Sequence, residues 1–231
     1  MICLIPARSG SKRVPKKNSR LFLNRPMISW AIQSSLASGL FRRVVVSTND
    51  EEIAEVSMNY GAEVPFIRPI ELADDVTPTR PVVIHAIEEL DLAKTPDTEL
   101  CIRYPTTPLL RAEDLRAGVE LLHGSNATFV FSAVRYGYPI QRALHWLPLR
   151  AGVDMVFPEH RQSRSQDLET TFHDAGQFYM GKAEAFLSGE PTFGPLSRPY
   201  FLEPWRAIDI DEESDWVHAE LIAESLALGA P

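Results

Sequence analysis

The sequence predicts an α/β fold with three α/β/α layers, in which helices cover both faces of a mostly parallel sheet. Patterns typical of strands alternate with patterns typical of helices over residues 1–132, and this alternation indicates a parallel sheet. Some of the strand patterns are unbroken apolar or β-branched runs, as in residues 44–48 (VVVST). Such runs are typical of strands buried on both faces. The predicted arrangement is therefore Rossmann-like.

Local signals support each element of this first half. Pro26 suits the first turn of a helix, and Gly39 closes that helix. Asn49 is a suitable cap for the next helix. Pro65 marks a short edge strand, because proline cannot donate to a sheet ladder. The predicted strands are residues 1–6, 44–48, 63–67, 100–102 and 127–132, and the predicted helices are residues 26–36, 49–61, 82–92 and 112–122.

The second half of the chain departs from this alternation. Residues 135–171 hold scattered aromatic residues and prolines, then a polar run, with neither a helical nor a repeat pattern. We predict that they form an extended dimerisation arm, inserted into a single domain of residues 1–231, which packs on a second copy of the chain and contributes to the ligand site. Beyond the arm, the predicted strands are residues 172–180 and 207–211, and the predicted helices are residues 182–187 and 212–228.

The net charge of −8 is unevenly distributed. Residues 1–49 carry nine cations and no acid, and the remaining 14 cations and 31 acids give −17, so that +9 and −17 sum to −8. An acidic chain repels nucleic acid, so a local positive site indicates a small anionic ligand. No apolar run reaches the roughly 20 residues of a membrane span. Cys3 and Cys101 lie in apolar runs without metal-ligand spacing, which indicates reduced thiols in the cytoplasm.

A cation-rich loop follows the first predicted strand. Residues 5–18 (IPARSGSKRVPKKN) carry Arg8, Lys12, Arg13, Lys16 and Lys17. Gly10 and the two serines allow backbone N–H groups to approach phosphate oxygens, and the cations balance their charge. The loop therefore predicts a site for a polyanion such as a nucleoside triphosphate. Neither a Walker A motif nor G-x-G-x-x-G is present, which disfavours a P-loop ATPase and a dehydrogenase.

Two carboxylates near the end of the chain complement this loop. Asp209 and Asp211 are two residues apart, so on a strand both point to the same side. Carboxylate oxygens are preferred ligands of Mg²⁺, which usually also binds substrate phosphates. Phosphoryl or nucleotidyl transfer requires both a phosphate-binding loop and carboxylates that hold Mg²⁺.

The segment IPARSGSKRVPKKN resembles the nucleotide-binding loop of the CMP-N-acylneuraminate synthetases, a family of cytidylyltransferases. The resemblance continues in order through residues 46–50 (VSTND), 68–75 (RPIELADD), 105–109 (PTTPL) and 208–211 (IDID). It implies a nucleotidyltransferase fold and a Mg²⁺-dependent enzyme. In the implied reaction, CTP and a nonulosonic acid, which is an acidic nine-carbon sugar, give a CMP-sugar and pyrophosphate.

The resemblance also implies a role for each group of site residues, while the arm at residues 135–171 predicts a homodimer and the two cysteines predict a cytoplasmic enzyme. The expected catalytic residues are Arg8, Lys17 and Asp211. The expected nucleotide-binding residues are Arg8, Ser11, Lys12, Lys17, Asn18 and Arg68. The residues expected to face the sugar are Tyr104, Arg164, His173, Gln177 and Tyr179. The residues expected to hold Mg²⁺ are Asp209 and Asp211.

Residues 163–168 (SRSQDL) and 172–179 (FHDAGQFY) bear on the identity of the sugar, because they resemble the branch of the family that acts on pseudaminic acid. An enzyme for a different nine-carbon acid is expected to keep the nucleotide loop of the family and to differ in the segments that face the sugar. A synthetase for N-acetylneuraminate or legionaminate is the near alternative. A non-catalytic nucleotide-binding protein on the same fold is the distant alternative.

Overall fold

The computed structural model describes residues 1–228, so the last three residues of the predicted 1–231 domain lie outside the described residues. Its strands are β1 (Ile2–Pro6), β2 (Leu21–Phe22), β3 (Arg25–Pro26), β4 (Arg43–Ser47), β5 (Glu99–Arg103), β6 (Phe129–Arg135), β7 (Leu144–Leu147), β8 (Gly152–Met155), β9 (Phe172–Lys182) and β10 (Ser197–Phe201). Its α-helices are α1 (Met27–Ser38), α2 (Glu51–Asn59), α3 (Thr79–Glu89), α4 (Ala112–His123), α5 (Ala183–Leu187) and α6 (Glu213–Leu228).

The central sheet has six strands in the order β10-β6-β9-β5-β1-β4. β1 runs parallel to both β4 and β5, and β10 runs parallel to β6. β9 is antiparallel to both of its neighbours, β5 and β6. Every strand of this sheet except β9 therefore points the same way, which confirms the predicted mostly parallel sheet.

Helices cover both faces of the sheet, as predicted for three layers. On one face, α1 and α2 pack on β1 and β4 through a cluster that includes Ile5, Ile32 and Ile53, and α4 packs beside them. On the other face, α3 and α5 pack on a cluster that includes Ile87 and Phe129. Full burial of each such side chain contributes about 1.5–3 kcal/mol, so these two clusters hold the layers together.

Two predicted strands are wrong. Residues 63–67 make only single bridges, Val45 to Glu63 and Thr48 to Ile67, because Pro65 has no N–H to donate to a ladder. Residues 207–211 form no strand either: the backbone is irregular, and the N–H of Ile210 donates to the carbonyl of Thr106. The edge position beside β6 is occupied instead by β10, which we did not predict.

β9 contains an irregularity close to the carboxyl ends of its neighbours. The pairing with β6 shifts between Phe131, which lies opposite Tyr179, and Ala133, which lies opposite Asp174. β9 therefore has more residues than β6 over the same length of the ladder, as in a bulge. Within the extra stretch Gly176 has a φ of +59°. The bulge places Gly176 against Asp209 and Gln177 beside Tyr104, at the start of the loop that follows β5.

Residues 136–171 form a separate segment built on the hairpin of β7 and β8. The pairs Leu144–Met155 and Trp146–Val153 lie opposite each other, so these four side chains share one face of the hairpin. Leu144, Trp146 and Val153 are all exposed. No helix among the described residues is long and apolar enough to cross a membrane.

Candidate active site

An open crevice of about 250 Å³ lies at the carboxyl edge of the sheet, beside the ends of β1 and β5. Parallel strands bring the loops that follow them to this edge. The crevice is lined by residues from four separate parts of the chain, including Arg8, Lys17, Asn18, Arg68, Asp74, Asp75, Tyr104, Thr106, Asp209 and Asp211. The two ends of the sequence that we expected to share a site therefore do so.

Polar contacts fix the cation-rich loop to its neighbours. The Asn18 amide Nδ2 donates to the carbonyl of Arg8 at 2.8 Å. Asn49, which follows β4, accepts from the backbone N–H of Ser9 and donates to its hydroxyl. The buried Oδ1 of Asn18 has no partner in the described structure. An unpaired buried acceptor beside the crevice is suited to a ligand donor.

The cations of the loop face carboxylates of the segment that precedes α3. Arg8 lies 2.5 Å from the Asp75 carboxylate, and Lys12 lies 2.6 Å from it. The hydrogen bond from Lys12, and then that from Arg8, hold the pKa of Asp75 below its usual value. Asp75 thus occupies the place of an anion opposite Arg8 and Lys12. Ser11 caps the N–H of Val14 in the same loop.

Arg68 adds a buried positive charge to this end of the crevice. Burial, and then the nearby charge of Arg8, lower the pKa of its guanidinium to about 10. Its Nε is buried without a partner, and no carboxylate of residues 1–228 forms an ion pair with it. A buried cation without a counter-ion is costly, so Arg68 increases the affinity of this end for an anion.

The opposite end of the crevice carries the predicted pair of carboxylates. Asp209 is half-buried and accepts a hydrogen bond from the Thr106 hydroxyl at 2.6 Å. Burial raises the pKa of Asp209 to about 6, against the opposing effects of Thr106 and Lys17. Asp211 is more accessible and lies 3.0 Å from Arg13 and 3.2 Å from Lys17.

Lys17 joins the two ends of the crevice. Its ammonium donates to the Ile210 carbonyl at 2.6 Å and to Asp211 at 3.2 Å. Among residues 1–228, no group of three or more His, Cys, Asp or Glu side chains is arranged to hold a metal ion. A pair of carboxylates is nevertheless sufficient for Mg²⁺, which commonly takes one or two from the protein and completes its shell with phosphate and water. The burial of Asp209 fits such a cation, because an ionised carboxylate there lacks solvent.

Tyr104 and Tyr179 stand side by side next to this crevice. Their ring centroids are 5.6 Å apart. The Tyr104 hydroxyl shares a hydrogen bond with Thr79 at 2.6 Å, and the Tyr179 hydroxyl donates to Asp174. Burial is the largest cause that raises the pKa of both phenols, so both remain neutral donors at physiological pH. Tyr104 lines the crevice itself, whereas Tyr179 lines an adjoining apolar pocket.

The structure places the other predicted sugar residues at three different depths. His173 lines a second apolar pocket, and its ring is tilted by 53° against that of Tyr136. Gln177 is fully buried in β9, and its side-chain oxygen and nitrogen have no partner among the described residues. Arg164 is exposed on the arm and pairs with Asp167 at 2.8 Å. Within one chain, Arg164 is therefore not brought to the crevice.

Sequence reasoning missed the roles of four residues that help to form the site: Asp75, Thr79, Asp174 and Phe193. Asp75 belongs to the RPIELADD segment, which is part of the family resemblance. Nothing in the sequence indicated that it pairs with Arg8. Asp174 reaches the site only because of the bulge in β9, which has no sequence pattern. Phe193 lies in a loop without regular structure, where periodicity is uninformative.

Known cytidylyltransferases are similar to this chain along most of its length. The chain is 41% identical over 221 residues to the pseudaminic acid cytidylyltransferase of Campylobacter jejuni, covering 96% of this chain and 95% of the relative. It is 30% identical over 232 residues to the CMP-N,N'-diacetyllegionaminic acid synthase of Legionella pneumophila, covering 97% of this chain and 96% of the relative.

A solved structure of a CMP:2-keto-3-deoxy-manno-octonic acid synthetase, determined as a complex with CTP, has the same fold. It superposes with a TM-score of 0.71, at 12% identity, over 97% of this chain and 98% of that one. The profile of the Cytidylyltransferase family matches residues 2–215, which include the whole crevice. The chain therefore belongs to the cytidylyltransferase family and is a nucleotidyltransferase.

Proposed function

We propose that this enzyme uses CTP to activate a nonulosonic acid, most specifically pseudaminic acid, and releases pyrophosphate. The observation that carries the proposal is the two-ended crevice, in which unpaired or exchangeable cations face a pair of carboxylates. Phosphoryl-group chemistry depends largely on positioning and on neutralisation of charge. The activities named for the Campylobacter and Legionella relatives support the choice of CTP and of a nine-carbon acid.

In the proposed reaction, the anomeric hydroxyl oxygen of the sugar attacks the α-phosphorus of CTP in line. The bond from this phosphorus to the bridging oxygen of the β-phosphate breaks, pyrophosphate leaves, and the hydroxyl proton is lost. Arg8 and Lys12 bind the triphosphate after exchanging Asp75 for phosphate oxygens, and Arg8 stabilises the charge that develops. Ser11, Lys17, Asn18 and Arg68 complete the nucleotide side.

We propose that Asp209 and Asp211 hold Mg²⁺ at the other end. When bound, the ion would neutralise charge on the phosphate oxygens and orient them. Thr106 fixes the orientation of the Asp209 carboxylate, and Lys17 keeps Asp211 close to the loop. Thr106 and Lys17 thus hold carboxylate oxygens of Asp209 and Asp211 at fixed positions beside the triphosphate.

The sugar is proposed to lie against Tyr104 and Tyr179, with His173 and Gln177 further along β9. Crevice and adjoining pocket share Tyr104, so a sugar bound there would reach both the α-phosphate and the pocket. A synthetase for N-acetylneuraminate or legionaminate is the alternative, since relatives of both kinds match the chain.

The test is pyrophosphate release from CTP and Mg²⁺ with a panel of nonulosonic acids. We expect release with pseudaminic acid at a kcat/KM at least about tenfold above that with N-acetylneuraminate. Turnover of N-acetylneuraminate alone would contradict the choice of sugar. Absence of release with every acid would contradict the enzymatic proposal and would favour a non-catalytic nucleotide-binding protein.

The Asp211→Asn substitution tests the carboxylate end. We expect a loss of kcat of at least about 10²-fold, because one charged oxygen ligand becomes a neutral amide. CTP binding measured by calorimetry without a divalent cation should be retained, since the cationic end is intact. Unchanged kcat would remove Asp211 from the proposed magnesium site.

We further propose that the enzyme is a homodimer through the arm at residues 135–171. An isolated two-stranded hairpin is marginally stable in water, yet β7 and β8 expose Leu144, Trp146 and Val153 on one face. A partner subunit that covers this face would stabilise the hairpin and would bury its exposed apolar side chains. Arg164 would then approach the partner's crevice, where its guanidinium would bind the sugar carboxylate.

Sedimentation at micromolar concentration checks the dimer. The wild type should sediment as a dimer, and Trp146→Glu should shift it towards the monomer. His145→Glu, on the opposite face of the same strand, is the matched control and should stay dimeric. A monomeric wild type with full activity would remove the proposal.

We place the enzyme in the cytoplasm, in keeping with the free, buried thiols of Cys3 and Cys101.

A further inference from the structure

A buried arginine, Arg103, ends strand β5 directly before the crevice residues Tyr104 and Thr106. Its side chain is fully buried, and no carboxylate of residues 1–228 forms an ion pair with it. Burial lowers the pKa of its guanidinium to about 10, so Arg103 is still a cation at physiological pH. A buried charge without a counter-ion is costly. Stability alone therefore does not account for an arginine at this position.

The guanidinium of Arg103 connects two segments of backbone. Its Nη1 donates to the carbonyl of Tyr104 at 3.2 Å and to the Thr107 hydroxyl, and its Nη2 donates to the carbonyl of Thr107 at 2.9 Å. Nη1 also donates to the carbonyl of Gln177, in the bulge of β9, at 3.4 Å. The rigid, planar fork of an arginine suits such a set of acceptors. Arg103 thus holds the turn at residues 104–107 against the bulge.

Both of these segments contact Asp209 or its neighbour. In the turn, the Thr106 hydroxyl donates to Asp209 at 2.6 Å, and the Thr106 carbonyl accepts from the N–H of Ile210 at 3.0 Å. In the bulge, Gly176 lies against the Asp209 carboxylate. Within the described structure, Arg103 itself makes no hydrogen bond or ion pair with Asp209. Any influence of Arg103 on this carboxylate therefore passes through the turn and the bulge.

We propose that Arg103 is a positioning residue for Asp209, which it orients by clamping the turn at residues 104–107 to the bulge of β9. A displacement of about 1 Å at a reacting centre can cost about 10²-fold in rate, so this clamp matters for catalysis. The expected effect on kcat rests on the proposed function. The expected effect on the order of the Asp209 segment does not, because it concerns the protein without ligands.

Amide hydrogen exchange of the ligand-free protein measures this order directly. The N–H of Ile210 is bonded to the turn, whereas that of Leu4 lies in the centre of the sheet and reports global opening. We expect Arg103→Met to raise the exchange rate of Ile210 relative to that of Leu4 at least about tenfold, because local opening becomes easier. The ratio of the two rates removes any change in global stability.

Arg116→Met is the matched control for the loss of an arginine that binds carbonyls. Arg116 donates to the carbonyls of Ser38 at 3.0 Å and Ala37 at 2.8 Å, at the end of α1. Neither acceptor belongs to the turn or to the bulge. The exchange ratio and kcat of Arg116→Met should therefore both stay within about twofold of the wild type, since distant sites act independently.

Kinetics separate positioning from binding. Arg103→Met should lower kcat at least about tenfold and leave the KM for CTP within about threefold, because Arg8, Lys12 and Arg68 are untouched. In a Thr106→Val background, Arg103→Met should lower kcat by less than about threefold further, since both changes act on one contact. Arg103→Lys keeps the charge but not the planar fork. It should shift the exchange ratio and kcat at least about threefold each, and it carries the test if Arg103→Met does not fold.

An exchange ratio at the wild-type value in both Arg103 variants overturns the inference. A full additional loss of kcat in the Thr106→Val background also overturns it, because Arg103 would then act independently of the turn. A loss of stability in urea with unchanged kcat would make Arg103 a purely structural residue. All of these outcomes leave the proposed function intact. Failure of the proposed function would appear as a wild type without turnover, in which the exchange ratio still decides the role of Arg103.

Discussion

At the scale of single residues, Gly176 determines how close β9 can approach Asp209. A Cβ atom at this position would lie 3.1 Å from the Asp209 Oδ2, and the backbone φ of +59° is one that side chains disfavour. Only glycine meets both demands without strain. Gly176 therefore lets the bulge of β9 close over the buried carboxylate.

Gly176→Ala should lower both stability and activity. The positive φ alone costs about 1 kcal/mol of unfolding free energy, and the contact would displace the Asp209 carboxylate and lower kcat at least about tenfold. Gly189→Ala is the matched control, since Gly189 has a φ of +83° with no atom near its virtual Cβ. It should lose similar stability in urea denaturation but keep its kcat. Equal kcat in the two variants would show that the approach to Asp209 is unimportant.

The buried position of Asp209 has a consequence for stability. Its pKa rises from 3.8 to about 6 in the folded chain, so between these values the native state binds more protons than the unfolded state. Stability must therefore fall as the pH rises from about 4 to about 6. The difference amounts to at most about 3 kcal/mol, at 1.36 kcal/mol per pKa unit.

Asp209→Asn should remove this part of the pH dependence. Without divalent cations, the variant should be about as stable as the wild type at pH 4 and more stable by about 1–3 kcal/mol at pH 7. Chemical denaturation with a chelator present measures both. A variant that is less stable than the wild type at pH 7 would mean that Asp209 is ionised without cost in the native protein.

At the scale of elements, a buried ion pair positions the irregular segment that carries Asp209 and Asp211. The Arg206 guanidinium donates to both oxygens of Asp114, at 2.5 and 2.7 Å, and Asp114 lies in the first turn of α4. The Tyr200 hydroxyl donates to the same carboxylate at 3.0 Å. This network ties the end of the chain to the helix that follows the Thr106 loop.

Removal of either partner leaves an uncompensated buried charge. Arg206→Ala and Asp114→Ala should therefore each cost about 3–5 kcal/mol of unfolding free energy, and the double variant should cost less than the sum of both. Glu203→Ala removes a more exposed carboxylate from the same guanidinium and should cost under about 1 kcal/mol. Additive losses in the double variant, measured in urea, would contradict direct coupling.

The elements also mark the limit of prediction from sequence. Strands buried on both faces were predictable, because runs such as residues 44–46 have no polar interruption. β10 was not, since Arg198 and Pro199 resemble a loop. It forms because its position is at the edge, where proline is tolerated. Residues 207–211 have the alternation of a strand, but they lie at the carboxyl edge of the sheet, where the N–H of Ile210 donates to the Thr106 carbonyl and no ladder forms.

At the scale of the whole molecule, the fold converts an uneven charge distribution into a local field. Four of the nine cations of residues 1–49, namely Arg8, Lys12, Arg13 and Lys17, are distant in sequence from the acids Asp209 and Asp211, and the parallel sheet brings the two sets to one edge. The pairing of ends was therefore predictable from charge and topology. The contacts between them, such as Lys17 with Asp211 and Thr106 with Asp209, depend on side-chain packing, which sequence periodicity does not encode.

A crystal structure of the enzyme with CTP and Mn²⁺, analysed by anomalous scattering, tests the two-ended site most directly. We expect the triphosphate to contact Arg8 and Lys12 in place of Asp75. The manganese peak should lie within about 2–2.5 Å of carboxylate oxygens of Asp209 and Asp211 and of phosphate oxygens. A triphosphate that lies outside the crevice, or a manganese peak remote from both carboxylates, would contradict this account of the site.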